Sequence, residues 1–353
     1  MKDSNNRSGW IDNIRVIATI AVIMVHVANL AVFTKYSPNN SSGNTIWWIG
    51  NLYDSSCCFC VPVFVMLTGA LLLTQTIGLG NFLKKRLNRI VLPFLFWSLI
   101  YIGFNLALKF RDEGAQSAIQ NIVPWLMLQC AHGAAPHLWY VYMIIGLYLF
   151  IPIIQPWVSV SSNKTLLYFL GIWFITLLFH QQKLFNVSSP LDLGYFTGYI
   201  GYLVLGYFIA ERLVISKAIL YGAILLFFSG IIFTLAGTYI YTVQQGYFSH
   251  AFYEYLTLNV LLASIGIFIF MKNQQATETH GSPSLVKNFI SRYGYGIYLS
   301  HLLVISILSH FKINYSLITP AIGIPLTTLI CLAISAAIVY IINKLPYGKY
   351  ISG

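Results

Sequence analysis

The sequence predicts an all-α polytopic membrane protein, a single bundle of about ten transmembrane helices. Three observations lead there. Of 353 residues, 58% are hydrophobic and only 8% are charged, whereas a soluble domain carries roughly a quarter charged residues to wet its surface. Continuous apolar runs, such as Ile17–Val25, Val91–Ile102 and Ala218–Phe233, lack the short two-residue alternation of a membrane β-barrel. Lipid offers no partner to a bare backbone N–H or C=O, so such runs must close their hydrogen bonds internally, as helices.

A span needs about 20 mostly apolar residues. In chain order this places helices near 11–33, 54–76, 89–109, 137–156, 165–181, 195–212, 217–240, 251–271, 287–309 and 317–342. Gly, Pro, Asn and Ser cluster between them, as in residues 37–43. The stretch 115–131 is too short and polar to span and reads as an amphipathic helix on the outer face. The first apolar run carries an Arg and lacks a small-residue cleavage site, so it reads as a span and not as a signal peptide. No internal repeat and no soluble second domain interrupts residues 1–353, which form one transmembrane domain.

Ten spans put both termini on one side of the membrane. With the N-terminus inside, fourteen of the twenty lysines and arginines fall on inner segments, five on outer segments, and Arg15 lies within the first span. Positive charge concentrates on the cytoplasmic side of membrane proteins, so both termini are expected in the cytoplasm. The net charge of +11 is then a loop asymmetry. It is not a nucleic-acid footprint, which would need a basic patch on a soluble module. Cys57, Cys58 and Cys60 sit in an apolar stretch and read as small buried hydrophobes. Neither paired cysteine spacing nor histidine pairs suggest a metal site.

An ionisable group inside a span is costly, and by default it marks function. Arg15 and His26 are 11 residues apart, about 16.5 Å along a helix and about 20° in azimuth. Both therefore line one stripe of the first span, Arg15 near its inner end and His26 deep in the bilayer. Asp12 lies one turn before Arg15, placed to orient it. Two readings stand side by side. Arg15 snorkels to headgroups and His26 is an interior hydrogen-bonder, or Arg15 meets a phosphorylated cofactor and His26 serves as a general base. Lys84-Lys85-Arg86-Leu87-Asn88-Arg89 is likewise either plain inner-face charge or, through Arg86 and Arg89 one turn apart, a phosphate grip. His137, in Pro136-His137-Leu138-Trp139-Tyr140, is an interfacial histidine or a contact for an acceptor. His301, in Gly296-Ile297-Tyr298-Leu299-Ser300-His301, is a core hydrogen-bonder or a second site residue. Asp54 and Glu254 lie near expected outer ends and read as solvated. Walker-type phosphate loops, H-E-x-x-H and G-x-S-x-G are absent, against an ATP-driven pump, a zinc membrane protease and a conventional serine hydrolase.

Five segments taken in order resemble a known family. Trp10-Ile11-Asp12-Asn13-Ile14-Arg15 with ten residues between Arg15 and His26 is similar to the R-x10-H opening of the membrane-bound acyltransferase-3 family. Pro62-Val63-Phe64-Val65-Met66-Leu67-Thr68-Gly69 resembles its P-x-F-F-x-x-S-G segment, with Thr68 for the usual Ser. Arg86-Leu87-Asn88-Arg89 matches its R-x-x-R motif, and the His137 and His301 segments resemble two more. The opening and the His-Leu-Trp segment look most like the subgroup that O-acetylates enterobacterial common antigen. The resemblance implies a multi-pass protein of the bacterial inner membrane. It would move acetyl from acetyl-CoA, a co-substrate and not a permanently bound cofactor, to a hydroxyl of a surface glycan or lipid-linked saccharide. By the same resemblance Arg15, Arg86 and Arg89 would hold the CoA phosphates, Asp12 would support Arg15, and His26 would be the base. His137 and His301 carry over only as site candidates. The rival readings are a transporter or flippase of lipid-linked saccharides and a non-catalytic scaffold of a glycan-assembly complex.

Overall fold

The computed structural model describes residues 2–33, 36, 41–75, 78–184, 198–274 and 285–353. Residues 37–40 of the expected linker, 76 of the second expected span and 195–197 of the sixth lie outside the described residues. Among those described there is no β-strand, as a lipid solvent requires. The helices are α1 (Lys2–Val32), α2 (Ser41–Cys57), α3 (Cys60–Leu72), α4 (Leu79–Glu113), α5 (Ala115–Gln120), α6 (Ile122–His132), α7 (Trp139–Val160) and α8 (Asn163–Leu184). They continue with α9 (Ile200–Tyr207), α10 (Lys217–Gln245), α11 (Leu258–Asn273), α12 (Leu285–His310), α13 (Pro320–Lys344) and α14 (Gly348–Ile351). A 3₁₀ turn, Pro136–Leu138, leads into α7, and α9 runs on through a π-turn at Phe208–Arg212.

Eight described segments are long and apolar enough to cross a membrane: Gly9–Val32, Gly43–Leu72, Leu79–Glu113, Pro136–Val160, Asn163–Gln181, Lys217–Gln245, Ala251–Asn273 and Pro320–Lys344. They overlap eight of the ten expected spans. The remaining two differ for separate reasons. The span expected at 287–309 is a long helix, α12, but Ser291, Arg292, Tyr295, Tyr298 and His301 dilute its apolar run. The one expected at 195–212 is described only from residue 198, where α9 and its π-turn form a short element.

The second span departs most from expectation. Its helix begins at Ser41, thirteen residues before the predicted start, and is divided at Cys58–Phe59. Pro62 explains the division: it has no N–H to offer the carbonyl four residues back, and its ring crowds that carbonyl. Asp54 is consequently not at a solvated end. It is 1% exposed, on the last turn of α2 against Cys58, whose Sγ–H donates to its carbonyl oxygen at 3.2 Å. Glu254 is exposed, as expected. The stretch 115–131 is helical, as α5 and α6.

Burial separates centre from periphery. Within Gly43–Leu72, 78% of the most apolar window is inside the protein, against 17% for Lys217–Gln245. The α2–α3 pair is central, and α10 turns most of its surface outward. The outward side chains, such as Leu99, Ile153, Leu225 and Ile341, make a broad apolar exterior of the kind a water-facing monomer avoids. Cys57, Cys58, Cys60 and Cys331 are free and buried.

Two crossings position the site. At the start of α1, Trp10 is buried edge-on against Phe268 of α11 at 5.6 Å. Ile11 and Ile14 are buried beside it, which turns Asp12 and Arg15 to the other side. Behind α3, backbones meet through glycines: a Cβ on Gly69 would lie 1.9 Å from the Leu203 carbonyl oxygen, and one on Gly206 2.0 Å from that of Met66. Small residues are what allow helices in lipid to approach this closely. At the other end of the chain, Trp97 Nε1 donates to the Ser352 carbonyl at 3.5 Å, and Gly353 packs on Gly296 of α12.

A backbone oxygen cannot swing aside, so Gly69→Val and Gly206→Val each force α3 and α9 apart. Overpacking of this kind costs about 1–3 kcal/mol. Both variants are expected to melt earlier in detergent than wild type, whereas Gly103→Ala, with nothing within 4 Å of its Cβ position, is expected to melt with it.

Candidate functional site

The site is built on two facing helical stripes. On α1, Arg15, Thr19 and His26 are separated by four and seven residues, which keeps them on one side of a 3.6-residue helix. On α12, Ser291, Gly294, Tyr295, Tyr298 and His301 follow the same period. The stripes meet at three levels. Arg15 Nη1 reaches Ser291 Oγ at 3.4 Å. A Cβ on Gly294 would stand 3.5 Å from Thr19 Oγ1. His26 and His301 lie with ring centroids 5.1 Å apart.

Around the first two levels lies a cavity of about 340 Å³. Arg15, Arg86, Arg89 and Arg292 line it together, with Ser291, Thr19 and Thr68 among its polar groups and Tyr140, Tyr148, Tyr295 and Tyr298 among its aromatic ones. Arg15 is held by Asp12, Nη1 to Oδ1 at 3.1 Å, and the Ser291 hydroxyl donates to the same carboxylate oxygen. Arg86 is partly buried. One of its nitrogens donates to Gln75 Oε1 at 3.3 Å, and the guanidinium sits over the Phe82 ring. Arg89 and Arg292 are exposed. Lys84 and Lys85 are exposed as well but do not line the cavity. Helical spacing puts Arg86 and Arg89 on one face and turns Lys84 away from it. The segment 62–69 also divides by face, with Phe64, Leu67 and Thr68 on the cavity and Gly69 on α9.

The third level is a cluster of histidine rings. His137, carried by the 3₁₀ turn before α7, lies 4.9 Å from His301 and 6.3 Å from His26 between centroids. Tyr101 and Tyr298 pack edge-on against His137 at 5.4 and 5.3 Å. His137 and His301 are fully enclosed, at 2% and 0% exposure; His26 is partly buried. Tyr298 belongs to both halves of the site. It lines the arginine cavity and touches His137 and His301, while Tyr140, also on the cavity wall, packs on it at 5.3 Å. Among the described residues no group of His, Cys, Asp and Glu is arranged to hold a metal ion.

The site candidates named by the resemblance thus fall into two adjoining groups. Arg15, Asp12, Arg86 and Arg89 belong to the cavity and its support, and His26, His137 and His301 form the cluster beyond it. The two groups are separate, since none of the three histidines lines the cavity. Sequence reasoning missed Arg292, Ser291 and the tyrosine wall. The signal was present in α12, where polar and aromatic residues recur with helical period through an otherwise apolar segment. Arg292 lies near the helix start, where a cation counts among the inner-face charges of the topology argument.

A family model described as an acyltransferase domain, that of the acyltransferase-3 family, matches residues 8–342. None of the curated proteins and none of the solved structures matches the chain.

Four guanidinium groups around one cavity suit a polyphosphate, which each fork can grip bidentately. Pyrophosphate is expected to raise the melting temperature of the detergent-solubilised protein. A hydrogen bond to a charged group is worth about 1.5–3 kcal/mol, so Arg86→Ala should weaken that anion roughly tenfold or more. Lys84→Ala, outside the cavity, should leave the response intact.

Proposed function

The chain belongs to the acyltransferase-3 family, and from that premise we propose that this membrane acyltransferase moves an acetyl group from acetyl-CoA to a hydroxyl of a cell-surface polysaccharide or its lipid-linked precursor. The observation that carries the reading is the placement of an arginine-lined cavity and a histidine cluster along the same α1–α12 seam, joined at Tyr298. Arg15, Arg86, Arg89 and Arg292 would take the phosphates of CoA, with Asp12 and Ser291 fixing the Arg15 fork. The pantetheine arm would follow the stripe past Thr19 toward His26, a little over 10 Å beyond Arg15's neighbouring turn at 1.5 Å per residue.

The chemistry asks little more of the protein. His26 takes the proton of the acceptor hydroxyl as its oxygen attacks the thioester carbonyl. The new C–O bond forms and the C–S bond breaks. The CoA thiolate leaves and recovers the proton from the imidazolium, so the products are an O-acetyl ester and free CoA. An imidazole suits both halves of this exchange near neutral pH.

In this reading α12 and a sixth span that includes α9 complete the ten, with both termini in the cytoplasm of a bacterial cell and the protein in its inner membrane. The arginine end then faces the cytoplasm, where acetyl-CoA is found. Enterobacterial common antigen is the acceptor favoured by the resemblance of residues 10–26 and 137–139. A flippase of lipid-linked saccharides would also need polar groups in the membrane, but it has no use for a thioester, and family membership weighs for transfer.

Purified protein incubated with radiolabelled acetyl-CoA and a surface-glycan extract is expected to yield alkali-labile acetyl groups on the glycan; a flippase or scaffold would yield none. Loss of a general base costs about 10²–10⁴-fold in rate, so His26→Ala should fall by that much while still folding. Arg15→Lys keeps the charge but loses the fork. It is expected to raise the KM for acetyl-CoA with a smaller change in kcat, and an unchanged dependence on acetyl-CoA concentration would remove Arg15 from the donor site.

A further inference from the structure

Around His137 and His301 the hydrogen-bond donors are already committed, and two acceptors are not. The Tyr101 hydroxyl donates to the Leu299 carbonyl at 2.9 Å and accepts from the Leu303 N–H. The Tyr298 hydroxyl donates to the His137 carbonyl, and Cys331 Sγ–H to that of His301. The histidines themselves are anchored through carbonyls: His301 Nδ1 on Tyr298 and His137 Nε2 on Leu299, the latter at 3.3 Å. A carbonyl oxygen only accepts, so the protons sit on His301 Nδ1 and His137 Nε2. In a neutral imidazole the other nitrogen is then a bare lone pair. Those two atoms, His137 Nδ1 and His301 Nε2, are buried and have no protein partner.

Native interiors rarely leave buried polar atoms unpaired, and those that remain call for an explanation such as a ligand. Here the two orphans are both acceptors, on rings 4.9 Å apart, each within a ring's reach of His26. These two nitrogens can therefore be satisfied by a guest that supplies O–H donors and not by one that supplies only acceptors. We propose that His137 Nδ1 and His301 Nε2 form an acceptor-substrate subsite, holding two hydroxyls that flank the one deprotonated by His26. The substrate is then polyhydroxylated, a saccharide ring with neighbouring free hydroxyls, and not a simple alkyl alcohol. This deepens the proposed function and rests on its assignment of His26 as the base. It gives His137 and His301 a binding role defined atom by atom.

The two lone pairs can be removed or kept separately. Phenylalanine abolishes both nitrogens. Asparagine places an amide oxygen near the Nδ1 position of a histidine, and glutamine places one near Nε2. In the full-length protein, assayed with acetyl-CoA and a surface-glycan extract, His137→Phe and His301→Phe are expected to raise the KM for the glycan about tenfold or more without moving that for acetyl-CoA. His137→Asn and His301→Gln should recover much of the loss, and the crossed variants His137→Gln and His301→Asn should not. Folded phenylalanine variants with an unchanged glycan KM would overturn the subsite, as would equal recovery by the crossed variants.

A second measurement needs no turnover and decides the matter where the phenylalanine variants fail to fold. Nitrogen-15 NMR of the histidine-labelled wild-type protein is expected to show the proton on Nε2 of His137 and on Nδ1 of His301. Either reversed tautomer, or a stoichiometric metal ion on these nitrogens, would refute the proposal. If the wild type uses no acetyl-CoA at all, the proposed function fails, while the tautomers still judge the subsite on their own.

Discussion

The seam between α1 and α12 is the contact on which the site depends. Each helix alone would present a polar stripe to lipid: a guanidinium, a threonine and an imidazole on one, a serine, tyrosines and a histidine on the other. Lipid penalises such groups heavily unless they face the protein interior or a wet cavity and find one another. Pairing the two stripes resolves both penalties at once. Asp12, Arg15 and Ser291 close a three-residue network at one end, and His26 and His301 meet at the other. The polar residues that make α12 the least apolar of the long expected spans are thus the ones that hold it in register. Buried polar groups serve here to specify a single pairing of two helices, a role best attested where they fix register.

The remaining elements serve the seam from outside. Trp10 clamps the beginning of α1 to α11 and so sets the rotation that points Arg15 inward. Gly69 and Gly206 let α3 lie against α9 with their backbones nearly touching, which leaves the opposite face of α3 to present Phe64 and Thr68 to the cavity. Pro62 ends the previous helix and frees α3 to take its own direction. The chemistry-bearing residues are few, and the packing around them orients three helices, α1, α3 and α12, around one cavity.

How much of this could be read from the sequence follows from which rules act locally. The apolar runs identify the long helices because lipid imposes length and composition on each span separately. The 11-residue separation of Arg15 and His26 places both on one stripe because helical geometry is the same everywhere. What escaped depends on partners. Asp54 was read as solvated because the start of α2 was placed too late; an apolar-run criterion cannot see a helix whose first turns are Ser, Gly and Asn. The break before Pro62 needed the proline rule applied inside a span, where prolines are often tolerated, as Pro93, Pro152 and Pro325 show within intact helices. Arg292 was lost in a charge tally that treated every cation near a helix end as topology. His137 reaches His26 and His301 only through tertiary packing, which sets the 3₁₀ turn before α7 against α1 and α12.

Separating the arginines from the histidines is itself a physical solution. A polyphosphate needs charge and tolerates water, and Arg89 and Arg292 remain exposed at that end. Proton transfer from a hydroxyl to an imidazole is better served by a drier site, where each hydrogen bond is electrostatically stronger and competing water is excluded. His137 and His301, which flank the proposed base His26, are fully enclosed. If both groups shared one open cavity, the arginines would draw water over the base, or the base would sit in the field of four cations that disfavour its protonation. Tyr298 adjoins both groups, lining the cavity on one side and packing on His137 and His301 on the other, with Tyr140 against it. The donor proposed above, with a charged head and a long thin arm, matches that division into a charged part and a drier one.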